Sequence, residues 1–91
     1  MAKAVIVRQM PPFKQKYKKL FPVQRKLVDE AIKKIVADPR TGEEKKGDLK
    51  GVFVYKFPMR RQQMLLAYSW SQNERLLLAL GVHENFYRDL K

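Results

Sequence analysis

The sequence predicts an α+β fold, β-α-α-β-β-β, in which an antiparallel sheet and a short C-terminal tail or helix pack against two helices. Three observations carry that prediction. Between Val23 and Ala37 the apolar residues Leu27, Val28, Ala31, Ile32, Ile35 and Val36 form one broad stripe at helical spacing, with charged residues elsewhere. After Lys50, three short runs rich in Val, Leu and aromatic residues follow each other across short polar joints, which is hairpin spacing. Ahead of both, Ala4 to Val7 is a β-branched run closed by Met10-Pro11-Pro12.

The elements follow in order. Phe13, Tyr17 and Leu20 recur at helical spacing while Lys14, Lys16, Lys18 and Lys19 cover the other side, so Pro12 to Leu20 reads as a short amphipathic helix. Pro22 interrupts it, and the second helix runs to Ala37, where Asp38-Pro39 stops it. Pro39 to Lys50 is polar and charged, with Gly42 and Gly47 as turn points, and reads as a loop. The last three runs are Gly51 to Phe57, Gln63 to Trp70 and Arg75 to Leu80. Their joints, Pro58 to Gln62 and Ser71 to Glu74, make the three runs an antiparallel meander. Such a sheet buries one face under helices, and the two helical stripes are the available cover.

The 91 residues make one small domain, 1–91, with a single modest core. Twenty Lys and Arg against nine Asp and Glu leave a net charge of +11, which draws polyanions through its long-range field. Nucleic acid is therefore the leading partner class. The longest apolar run, Leu76 to Val82, is far too short to span a bilayer, and Met1-Ala2-Lys3 opens no signal-type stretch, so no membrane role is expected. With no cysteine there is no disulfide framework or thiolate chemistry, and a cytoplasmic address is expected. One histidine and scattered acids offer no metal-ligand spacing, and the four glycines form no phosphate-cradling loop, so no metal and no cofactor are expected.

Taken in order, the β-α-α-β-β-β pattern, the linker Lys45-Lys46-Gly47-Asp48-Leu49-Lys50-Gly51, the strands Val52-Phe53-Val54-Tyr55-Lys56-Phe57 and Leu65-Leu66-Ala67-Tyr68, and the ending Gly81-Val82-His83-Glu84-Asn85-Phe86-Tyr87 resemble the RelE/ParE toxin superfamily of bacterial toxin–antitoxin systems. The resemblance spans nearly the whole chain. It implies a toxin that either cleaves messenger RNA in the ribosomal A site, as the RelE-like branch does, or inhibits DNA gyrase, as the ParE-like branch does. It also implies a cognate antitoxin, which the +11 charge leads us to expect to be acidic.

Chemistry distinguishes the branches. Metal-independent RNA cleavage needs a base for the attacking 2′-hydroxyl, an acid for the leaving 5′-oxygen, and cations for the phosphorane. Gyrase inhibition needs none of these. His83 is the candidate acid or base, because an ordinary imidazole titrates near neutrality, at about 6.5. YafQ-like members similarly carry a histidine after Gly-x, as in Gly81-Val82-His83. By the same resemblance Tyr87 is the C-terminal aromatic that meets the substrate, and Phe86 is assigned to the core. Lys56 matches the first of two strand lysines of RelE-like members. The second position is Pro58, and a strand arginine of RelE is replaced by Leu65 or Met64. The remaining phosphate-binding cations are then Lys46, Arg60, Arg61 and Arg88, drawn partly from loops. Phe13, Tyr17, Leu20 and Leu27, partly available on the helices, are the expected antitoxin contacts.

Overall fold

A computed structural model of the chain describes residues 4–82. The elements are β1 (Ile6–Gln9), α1 (Pro11–Lys18), α2 (Pro22–Ala37), β2 (Glu43–Glu44), β3 (Phe53–Met59), β4 (Gln62–Ser71) and β5 (Glu74–Gly81), with one 3₁₀ turn at Gly47–Leu49. The sheet has five strands in the order β1-β5-β4-β3-β2. The β3-β4-β5 meander is antiparallel, as expected, while β1 adds to β5 in parallel, so the complete sheet is mixed. A parallel neighbour needs a crossover, and the α1–α2 hairpin with the meander behind it supplies one.

Both helices start on proline at their first positions, where the missing N–H costs nothing. They cover one face of the sheet. On that face Phe57, Met59, Met64, Leu66, Tyr68, Leu77 and Leu80 meet Phe13, Leu20, Val28, Ala31 and Ile35 in the main core. The period-two alternation of β3 puts Val54 on the opposite face, where it joins Leu65, Ala67 and Ala79 in a second apolar cluster. A register shift between Ala67 and Tyr68 adds one residue to β5 at Leu78, so both Leu77 and Leu80 turn towards the helices. The helices are tied to each other as well. Tyr17 O–H donates to Asp29 Oδ1 at 2.8 Å, and Arg25 Nη2 donates to the Lys18 carbonyl at 3.1 Å.

Two polar side chains fix the far end of the sheet. Arg75, 3% exposed, donates Nε and Nη2 to the carbonyls of Ile35 and Val36, each at 3.0 Å, and Nη1 to those of Ser71 and Glu74 at 2.8 and 3.1 Å. It caps the C-terminus of α2, where orphan carbonyls and the negative end of the helix dipole need a donor. Tyr68 is fully buried; its O–H donates to the Pro39 carbonyl at 2.7 Å and its oxygen accepts the Gly42 N–H at 2.8 Å. A side chain at Gly42 has no room, since its Cβ would lie 2.9 Å from that hydroxyl and from the Val54 carbonyl.

Burial pushes the Tyr68 phenol above the usual tyrosine range, with the Asp38 charge adding to it against the Gly42 hydrogen bond and Arg75. The folded state thus favours the neutral phenol. Its stabilisation is complete below the unfolded value of about 10 and is lost as pH rises through the folded value. Tyr68→Phe should cost about 1–3 kcal/mol at neutral pH, because it leaves the Gly42 N–H and the Pro39 carbonyl unpaired. It should also flatten the fall in stability above pH ~10. Chemical denaturation of both proteins across alkaline pH checks this; parallel curves for the two would contradict it.

Candidate nucleic-acid interface

The hairpin joining β3 and β4 is tighter than its sequence implies. The joint expected over Pro58 to Gln62 is instead a two-residue turn, Arg60-Arg61, with Pro58 paired to Gln63 and Met59 to Gln62. Pro58 is tolerated in the strand because β3 has only the two-residue β2 beyond it, paired at Phe53 and Val54, and its nitrogen faces away from β4. Arg60 carries the turn's positive φ, 60°, a position that such turns ordinarily give to glycine. A non-glycine residue there costs roughly 1 kcal/mol. Two exposed guanidinium side chains are thereby held at the sheet's end.

Lys56 is exposed and, by alternation, shares the helix-free face with Val54. It pairs with Leu65, which pairs with Gly81 at the close of β5. Lys56 and Gly81 therefore occupy one cross-strand row two strands apart, roughly 10 Å. Leu65 is buried in the second cluster between them. Arg60 and Arg61 cap the same end of the sheet. Lys46 does not join them: it follows β2, whose last residue pairs with Phe53, and lines a pocket of about 220 Å³ with Glu44, Lys45 and Lys50 near the start of β3. His83, Tyr87 and Arg88 lie outside the described residues. No group of three or more His, Cys, Asp or Glu able to hold a metal occurs among the described residues, and no described helix is long and apolar enough to cross a membrane.

The helix residues expected to meet a partner need correction. Phe13 and Leu20 are core residues: α1, which ends at Lys18, covers β5 with Phe13 turned inward, and Leu20, in the joint between the helices, is buried in the same cluster as Leu77 and Leu80. Tyr17 and Leu27 are half-buried. Leu27 lines a cavity of about 180 Å³ between α2 and β3, together with Glu30, Ala31, Lys34, Tyr55 and Phe57. The large apolar side chains left open are others, chiefly Phe21 at 67% exposure and Val23 at 54%. Phe21 is the residue just ahead of the proline that starts α2, so it falls outside the helical stripe, and that placement was the available sign of its exposure.

The fold has solved counterparts. The toxin–antitoxin complex RelBE of E. coli contains a chain with TM-score 0.69 and 17% identity, covering 89% of this chain and 99% of that one. The RelBE2 complex of Mycobacterium tuberculosis gives 0.69 at 21% identity, covering 89% and 100%. The isolated E. coli RelE toxin gives 0.66 at 15%, covering 96% of each. At these identities the likeness is one of fold. No curated protein matches the sequence. A family model does, that of the ParE-like toxin of type II bacterial toxin–antitoxin systems, over residues 7–91. With that match running over nearly the whole length, the chain belongs to the ParE-like toxins of type II toxin–antitoxin systems.

Proposed function

We propose that this toxin is a ribosome-dependent endoribonuclease that cuts messenger RNA in the A site without a metal. The observation that supports the reading most is the register that aligns Lys56, Leu65 and Gly81 at the end of the sheet capped by Arg60 and Arg61. His83 follows Gly81, the last residue of β5, by two residues in the sequence. In the proposed reaction the 2′-oxygen attacks its own phosphorus and gives up its proton to a base. The bond to the 5′-oxygen breaks and that oxygen takes a proton, leaving a 2′,3′-cyclic phosphate and a 5′-hydroxyl. His83 serves as acid or base, Lys56 stabilises the phosphorane, the tip arginines bind neighbouring phosphates, and Tyr87 and Arg88 contact the substrate.

An acidic antitoxin is proposed as the partner, favoured by the net charge of +11 and by the family's two-component organisation. Its contacts would be the cavity between α2 and β3 and the open part of Tyr17, since Phe13 and Leu20 are interior.

Gyrase inhibition is the second reading. Pro58, with Leu65 or Met64, favours it, because β3 and β4 then carry one cation where the RelE-like pattern has three. Induction in cells separates the two. Protein synthesis should fall within minutes, before any reporter of DNA damage responds; early DNA damage with intact translation would transfer the assignment to gyrase.

A further inference from the structure

We propose that the corner where the α1–α2 junction meets the β3–β4 turn is a second contact for single-stranded RNA, stacking a base on Phe21 and holding the flanking phosphates on Arg60 and Arg61. The inference rests on the RNA-cleaving reading and extends it to the helix-covered side of the sheet, away from the face that carries Lys56.

Four observations converge there. Phe21 exposes two thirds of its surface, and an aromatic ring open to solvent is a platform for a planar ligand. Gln24 links the Phe21 backbone to the groove at the turn. Its side-chain oxygen accepts the Phe21 N–H at 2.9 Å, and the same residue lines a groove of about 380 Å³ with Met59, Arg60, Arg61 and Gln62. Arg60 is kept in the left-handed region where glycine is the unstrained choice, so a cation stands at the groove against backbone preference. Finally, no acidic residue occupies the first turn of α2 or lines the groove.

The ligand that satisfies this arrangement carries both regular negative charge and exposed planar groups. Single-stranded RNA has both. A duplex keeps its bases stacked inside, and an acidic peptide would meet the arginines but has no regular counterpart for the ring. Stacking on an aromatic tolerates any base, so the corner would grip the strand without reading its sequence.

The test is fluorescence anisotropy of the full-length chain with a short labelled single strand, fully 2′-O-methylated so that it cannot be cut, across a KCl series. Phe21→Ala should weaken binding roughly 10-fold at every salt concentration and leave the salt slope unchanged. Arg60→Gly, which suits the backbone and should melt no lower than wild type, should reduce the salt slope by about 1. Lys33→Gln removes the same charge from α2 roughly 13 Å further along its axis and should change affinity less than about twofold. Wild-type affinity in Phe21→Ala, or equal losses in Arg60→Gly and Lys33→Gln, would overturn the corner contact. If that happens while His83→Ala still abolishes cleavage, the nuclease reading stands and only the corner falls. If wild type neither binds nor cuts RNA, both fall. A Phe21→Ala defect confined to antitoxin binding would make the corner a protein-docking surface and also overturn the proposal.

Discussion

His83→Ala should reduce ribosome-dependent mRNA cleavage by roughly 10² to 10⁴-fold, the range lost when a general acid or base is removed. The size of the effect follows from the side-chain inventory. His83 is the one histidine in the chain, there is no cysteine, and no acidic cluster able to hold a metal occurs among the described residues. No other group with an ordinary titration near neutrality is available to exchange a proton with the reacting oxygens. Lys56→Ala should cost less, because Arg60 and Arg61 leave part of the positive field in place at the same end of the sheet. Primer extension on a purified translation system loaded with a defined message gives both numbers. A His83→Ala protein that cuts at the wild-type rate would remove the imidazole from the mechanism, and one as slow as the Lys56 variant would reduce it to a binding residue.

Arg75→Leu should be strongly destabilising, at about 3 kcal/mol, or a melting temperature lower by roughly 12–24 °C for a chain of this size. Leucine matches the apolar surroundings, yet it abandons four carbonyl acceptors at once, one buried and three part-buried, two of them at the C-terminus of α2. Arg75→Lys keeps the charge but lacks the planar fork that reaches both Ile35 and Val36 on one side and Ser71 and Glu74 on the other, so it should recover only part of the loss. Thermal melts of the three proteins decide the matter. Equal melting temperatures for Arg75→Lys and wild type would show that charge alone is what α2 requires.

The contrast between Arg75 and the helical stripe shows what a sequence of this kind discloses. The stripe from Leu27 to Val36 repeats a single period, and α2 forms over Pro22–Ala37, one residue longer than that pattern implies. The alternation of Met64, Leu66, Tyr68 and Trp70 likewise marks the inward face of β4. Arg75 has no such signature. It is a cation at an inward strand position, and the two partners that tie it to α2 are backbone carbonyls 39 and 40 residues away, which no local pattern encodes. The shift at Ala67/Tyr68 is equally silent, because one extra residue in β5 alters no composition. At the candidate interface the sequence offers the cations Lys56, Arg60 and Arg61, but the place of the two arginines depends on a two-residue turn that contains no glycine, where the composition implies a longer joint. Lys46 was grouped with them by charge alone, and the pairing of β2 with the start of β3 places it elsewhere. Phe13 and Leu20 are buried where the pattern implies partial exposure, because an amphipathic stripe does not say which neighbour covers it, and here β5 does.

The central claim is that this toxin stops translation by cutting mRNA with His83 as its proton-transfer group. Sequencing of 5′-hydroxyl RNA ends from cells shortly after induction tests it most directly, with wild type and His83→Ala expressed to equal levels. New ends inside coding sequences, in register with the reading frame, in the wild type and absent from His83→Ala are the predicted result. An RNA end profile identical to that of uninduced cells, in cells that nonetheless stop growing, would contradict the account.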